Sequence, residues 1–210
     1  MANIYIVGAG GFARELYCWL HDEQQVLQQF AFSGFLDDDA LALAAFNYPL
    51  GVVGSITGHV PEVGDVYLCG VGAPELKRKL CSILIARGAR FLTLVHPSSV
   101  IGKNVMLGHG VVICPQVTLT CDIVIGEMAM INCHSTVGHD ACVGAWSTIS
   151  AHCDITGYTQ LGNSVFMGSG ARIIPGKCVG NNVRIGAGSV VIRKIAAGHS
   201  VFGNPARRLD

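Results

Sequence analysis

Residues Ile101 to Ala196 read, in blocks of six, IGKNVM LGHGVV ICPQVT LTCDIV IGEMAM INCHST VGHDAC VGAWST ISAHCD ITGYTQ LGNSVF MGSGAR IIPGKC VGNNVR IGAGSV VIRKIA. All sixteen blocks open on Ile, Leu, Val or Met. These types fill 31 of the 96 positions, so chance agreement is roughly one in 10⁸, and a fixed period marks a repeat architecture. The preceding block, Val95 to Val100, keeps the register. Second positions are Gly in nine blocks, and fifth positions are small or β-branched in fifteen, with Lys177 the exception.

Period six does not suit a helix, because successive aliphatic residues would drift around a 3.6-residue turn. It suits short extended segments that each turn a corner. The aliphatic side chain before each corner points inward and stacks on its equivalent one coil later. The frequent second-position glycines are expected to supply the unusual backbone angles of the corners. Three such sides close a triangular coil of 18 residues, with parallel strands about 4.8 Å apart. Sixteen blocks then give a little over five coils, and positions 18 apart share a column. Cys121, His139, Gly157 and Pro175 form one column; Gln116, His134, His152 and Gly170 form another. Gly157 lies directly beyond His139 and leaves its imidazole unshielded on that side, with room for a ligand.

Outward toward the N-terminus the pattern changes. Ile4 to Val7 runs into Gly8-Ala9-Gly10-Gly11 and a helical stretch to about Gln29. Strand, glycine turn and helix in that order let a phosphate approach a helix N-terminus. A second strand, Phe32 to Leu36, ends in Asp37-Asp38-Asp39, where a Rossmann-like unit hydrogen-bonds ribose or base. A third strand, Val66 to Gly70, leads to a helix from Pro74 to Ala86. So small a sheet suits a mononucleotide better than a dinucleotide, and no second half exists to hold a nicotinamide. The organisation expected is an α/β Rossmann-like domain over residues 1–93, an all-β parallel β-helix over 94–198, and a tail over 199–210.

Composition narrows the function classes. Half of the 210 residues are hydrophobic and 13% are charged, ample for a core. Fourteen basic and fourteen acidic residues give zero net charge, without the footprint of a nucleic-acid binder. No apolar run approaches the ~20 residues of a membrane helix. Met1 to Val7 has no basic leader and reads as a strand rather than a signal peptide. The nine cysteines are odd in number and without metal-finger spacing, so they are expected to be reduced thiols in a cytoplasmic protein.

Five segments, YIVGAGGFARE, GFLDD, HPSSVIG, INCHSTVGHDACVG and VFGNPARRL, span the chain. Together they resemble the sugar acyltransferase family of the sialic-acid O-acetyltransferase and bacillosamine N-acetyltransferase (NeuD/PglD) type. The resemblance implies a left-handed prism and a homotrimer. It places acetyl-CoA between neighbouring prisms and a nucleotide-linked amino sugar on the N-terminal domain. It implies His139 as catalytic base with Asp140 beside it, and Asn132 facing the sugar. Gly8, Gly10, Gly11, Asp37 and Asp38 would meet the nucleotide, and Thr148, Gly157, Gly168, Gly186 and Ala187 would line the CoA arm. Two positions depart from many relatives: Phe12 and Thr148 stand where those carry His.

The reaction so implied is N-acetylation of the 4-amino group of a nucleotide-linked (UDP by preference) 4-amino-4,6-dideoxy sugar, for bacterial glycan synthesis. A sugar hydroxyl such as that of sialic acid is the alternative acceptor, since a His base serves both. A nucleotide-binding scaffold without catalysis is the alternative outside enzymology. His134 and His152 read as structural or interfacial. A zinc site of the kind found in carbonic-anhydrase prisms needs a third His two coils earlier, where Ser98 and Lys103 stand. No metal is expected.

Overall fold

The computed structural model describes residues 2–22 and 24–209. Two compact units divide the chain, residues 1–92 and 93–210.

The first unit carries β1 (Ala2–Val7), α1 (Gly11–Leu20), α2 (Gln24–Gln29), β2 (Phe30–Leu36), β3 (Val52–Gly54), β4 (Val66–Cys69), α3 (Pro74–Ala86) and β5 (Arg90–Phe91). The strands form one parallel sheet in the order β3-β2-β1-β4-β5. Ile4, Ile6 and Val7 of β1 and all four residues of β4 are buried, as the continuous apolar runs of a covered parallel sheet require. The chain order reverses direction between β1 and β4, which opens a crevice at the carboxyl ends of those strands. Gly70 lets α1 approach this edge, because a Cβ there would stand 2.6 Å from the Ala13 Cβ.

The helix expected to run to Gln29 is broken after Leu20. The N–H groups of His21 and Asp22 turn back to the carbonyls of Cys18 and Trp19, three residues earlier, which tightens and ends the helix. The His21 Nδ1–H donates to the Tyr17 carbonyl at 2.9 Å. On α3, Lys77 is buried to 1% exposure, and burial pulls its ammonium down to about 8. All nine cysteines are free thiols; Cys69 and Cys81 approach to 3.4 Å.

The second unit is a left-handed prism. Two-residue strands pair in parallel with strands 18 residues away: Thr118↔Thr136, Cys142↔Gln160, Met130↔Thr148. The three sheets have six, five and eight strands. First-position side chains from Ile113 to Val191 stack in the core with the fifth-position Val111, Val117, Ile123, Ala129, Val165 and Val183. Ser135, Ser147, Thr159 and Ser189 at fifth positions are buried too.

The corners correct one expectation. All fifteen fourth positions from Asn104 to Gly188 adopt positive φ, including Asp140, Trp146 and Tyr158. None of the nine second-position glycines does. Those glycines answer to space rather than angle: a Cβ on Gly126 would lie 2.5 Å from the Ala145 nitrogen, and one on Gly138 2.6 Å from the Gly157 nitrogen. Coils stacked at strand spacing leave no room for a side chain there. Residues 199–210, expected as a tail, instead supply a strand at Ser200–Phe202 parallel to Arg184–Ile185, and an antiparallel one at Arg207–Arg208. Val201 continues the inward column of Ile185 and is buried, which is why the segment stays on the prism.

Candidate active site

His139 and Asp140 occupy the corner that follows the strand Thr136–Val137. Asp140 takes φ +58°, and its carboxylate lies beside the preceding imidazole. Asp140 Oδ2 is 2.8 Å from His139 Nδ1. A carboxylate can only accept, so Nδ1 carries a proton, and in the neutral form of the ring the lone pair is at Nε2. The pair is half exposed, 52% and 45%. One coil down, Asp122 accepts a hydrogen bond from Asn104 Nδ2 at 2.8 Å. That bond, the neighbouring Cys121 thiol and the nearby His139 hold the Asp122 carboxyl below its ordinary pKa.

Above the imidazole, the structure sharpens the meaning of Gly157. A Cβ at Gly157 would stand 2.7 Å from His139 Nε2 and 2.9 Å from Cε1. The near-equal distances put the volume that glycine leaves empty over the face of the imidazole at its Nε2 edge. Tyr158 closes one flank, its ring 4.9 Å from the imidazole and at 89° to it. Its N–H donates to the His139 carbonyl at 2.9 Å.

Asn132, Gly168 and Gly186 fall together in one column, with Ala187 next to it, but at the preceding corner of the prism. Within one chain they and His139 flank the same face from opposite edges. The Asn132 Oδ1 accepts the Cys133 N–H at 2.7 Å. Thr148 is only 2% exposed. His134 and His152 stack in parallel at 4.9 Å, at the same corner as Asn132. Among the described residues no group of three or more His, Cys, Asp or Glu side chains could hold a metal ion.

In the first unit, a cleft of about 560 Å³ opens at the carboxyl ends of β1, β2 and β4. Gly8, Gly10 and Gly11 line it with Phe12, Asp37, Asp38, Gly70 to Ala73 and Lys79. Gly8 needs its φ of +93°, and no heavy atom stands within 4 Å of a Cβ at Gly10. The two carboxylates are partly committed to the fold. Asp37 accepts the N–H groups of Ala9 and Asp39 at 2.8 and 3.0 Å, tying the glycine loop to β2. Asp38 Oδ1 accepts both the N–H and the hydroxyl of Thr57. Lys79 was not among the residues expected here; its signal was the basic run Lys77-Arg78-Lys79 after the helix start.

A second cleft, of about 260 Å³, lies at the end of the prism, lined by Arg193, Lys194, His199, Arg207 and Arg208. The paired basic residues at 193–194 and 207–208 were its signal in the sequence. Arg193 stands 54 residues, three coils, beyond His139 in the hexad register.

No protein-family model matches the chain. A GDP-perosamine N-acetyltransferase of Escherichia coli O157:H7 is 29% identical over 217 residues, covering 99% of this chain and 96% of that protein. PerB of Caulobacter crescentus, solved with CoA and GDP-perosamine, matches 100% of this chain and 98% of its own with TM-score 0.89 at 28% identity. Over its full length the chain is thus similar to amino-sugar N-acetyltransferases that share its fold. WeeI of Acinetobacter baumannii is a third full-length neighbour, with TM-score 0.86 and 28% identity. The likeness to PerB and WeeI covers the whole chain, the small sheet as well as the prism. No helix among the described residues is long and apolar enough to cross a membrane.

Proposed function

We propose that this acetyltransferase moves the acetyl group of acetyl-CoA onto the 4-amino group of a nucleotide-linked 4-amino-4,6-dideoxy sugar. The observation that carries the reading is full-length likeness to enzymes named for GDP-perosamine, joined to a half-exposed His139–Asp140 pair with open space beside Nε2. The uridine nucleotide expected from the sequence gives way to guanosine, because the relatives whose names specify a nucleotide carry GDP. The cleft of the first unit holds the nucleotide, with the α1 N-terminus and Lys79 toward its phosphates.

The sugar amine attacks the thioester carbonyl carbon. Its proton passes to His139 Nε2, and Asp140 steadies the resulting imidazolium. The Gly157 N–H, standing over Gly138, is the candidate donor to the carbonyl oxygen as it becomes negative. The C–S bond then breaks, and the imidazolium returns its proton to the departing thiolate of CoA. A homotrimer accounts for the split of the expected residues between two corners. A neighbouring prism would set its Asn132, Gly168, Gly186 and Ala187 edge against the His139 edge.

The cationic cleft suits the phosphates of CoA. Three coils of strand spacing separate Arg193 from His139, about 14 Å, and an extended pantetheine arm bridges that span. Replacing Arg193 and Arg207 together by Ala is expected to raise KM for acetyl-CoA about tenfold or more, on the scale of lost charged hydrogen bonds. The turnover number should hold. An unchanged KM would remove the phosphates from this cleft.

The test of the reaction is thiol release from acetyl-CoA in the presence of GDP-, UDP- and dTDP-linked 4-amino sugars, with sialic acid as hydroxyl acceptor. Release with GDP-perosamine alone is the expected result. Release with sialic acid alone would establish the O-acetylating alternative. Tight nucleotide binding with no release on any acceptor would leave a scaffold.

A further inference from the structure

Among the described residues the imidazole of His139 is held by one hydrogen bond, at Nδ1, and it is half exposed. Gly157 above it offers no side chain to pack on. A single hydrogen bond fixes one atom of a ring and leaves its tilt free, whereas proton transfer needs Nε2 aimed at the nucleophile. Something else has to fix the tilt.

We infer that Tyr158 is a positioning residue for His139, an inference that rests on the reading of His139 as the base. Tyr158 and Asp140 occupy the same position in successive coils and take the same left-handed backbone, φ +59° and +58°. Their side chains therefore leave the corner in the same sense, one coil apart, and bracket the imidazole between a carboxylate and an aromatic ring. The Tyr158 ring meets the imidazole perpendicular to it at 4.9 Å, an arrangement aromatic pairs prefer. The pair is also tied through the backbone, since the Tyr158 N–H holds the His139 carbonyl. Rotation of the imidazole toward the Tyr158 flank is blocked by the ring itself. The directions that remain are the solvent side and the one above Gly157. At 59% exposure Tyr158 stands at the surface beside the half-exposed imidazole.

The role belongs to the ring and not to the phenol oxygen, which gives the test its shape. Tyr158→Gly removes the ring at a position whose φ glycine adopts freely, so the coil is kept. Tyr158→Phe removes only the hydroxyl. In the glycine variant kcat is expected to fall about ten- to a hundredfold, the scale of a misaimed catalytic group, with both KM values within about threefold. The phenylalanine variant is expected to stay within about twofold of the parent. In ¹⁵N-histidine NMR of the full chain, the His139 Nδ1–H signal should broaden into exchange in the glycine variant and persist in the phenylalanine variant. A glycine variant that keeps both turnover and this signal overturns the inference. So does a phenylalanine variant as slow as the glycine one, since the hydroxyl would then act directly. If His139→Ala turns over like the parent, the base reading fails, yet the Nδ1–H signal still reports whether Tyr158 orients the ring.

Discussion

Replacing Gly157 with Ala is expected to lower kcat about a hundredfold or more, while the melting temperature stays within a few degrees of the parent. The added Cβ would arrive 2.7 Å from His139 Nε2, closer than non-bonded heavy atoms stand. Two responses are open to the molecule. The imidazole can swing away, which breaks its 2.8 Å bond to Asp140 and turns the lone pair from the reaction volume. Alternatively the ring holds, and the methyl group fills the open space over its face, where it crowds whatever approaches Nε2. Either response stops proton transfer, and misplacement of about 1 Å already costs about 10²-fold. Stability is spared because Gly157 lies outside the left-handed region, so alanine takes its backbone without strain. The half-exposed ring can also move into solvent. A Gly→Ala change at a compatible backbone even contributes about 0.4–1 kcal/mol through the unfolded chain. The measurement is steady-state thiol release beside a thermal melt. Full activity in a folded variant would show that the reaction does not use the volume above Gly157.

The prism was legible in the sequence because every hexad repeats the same demand. Sixteen consecutive aliphatic residues at one position cannot serve another fold, and the structure stacks fourteen of them, Ile113 to Val191, in the core with Leu107 packed against it, while Ile101 is exposed. The corner chemistry was read at the wrong position. Glycine at the second position looked like a backbone-angle requirement, but the left-handed residue is the fourth, where Met128, Trp146 and Tyr158 also stand. Gly, Asn or Asp fill eight of these fifteen fourth positions, but the other seven dilute that compositional mark. Glycine marks instead the place where the next coil comes closest, which only the stacking distance reveals.

The candidate site divides along similar lines. His139 and Gly157 could be aligned by counting eighteen residues, because a strict period converts sequence separation into spatial adjacency. Asp140 could be named by adjacency, and the structure gives its carboxylate a bond to the ring. Tyr158 escaped notice since nothing in the period says which way a corner side chain leans. Asp37 was read as a nucleotide contact, whereas its carboxylate also braces the glycine loop through Ala9. A carboxylate after a strand looks the same in sequence whether it faces a ligand or a loop N–H. The cationic cleft was hidden for another reason. Its arginines come from residues 193 and 207–208, brought together only by the return of the C-terminal strands.

His139→Ala is expected to lower kcat about 10²- to 10⁴-fold, the range that general-base catalysis contributes. The reasoning runs through charge. A protonated amine cannot attack, and a neutral amine that has attacked carries a positive charge it must shed before the thiolate leaves. Nε2 carries the ring's lone pair on a half-exposed edge, and Asp140 is placed to meet the charge that arrives on the ring. Removing the ring takes away an interaction that grows only as the transition state forms, so kcat and kcat/KM should fall together. Both KM values should change little, because the nucleotide and the phosphates of CoA are assigned to clefts whose linings do not include His139. Asp140→Asn keeps the shape of the pair, but its amide can offer the ring a donor where the carboxylate could only accept. Its kcat is expected to fall less than that of His139→Ala, as a partner that orients and steadies the base should. A His139→Ala enzyme turning over near the parent rate would sink the base assignment. An Asp140→Asn enzyme slower than His139→Ala would shift the proton-accepting role to Asp140 itself.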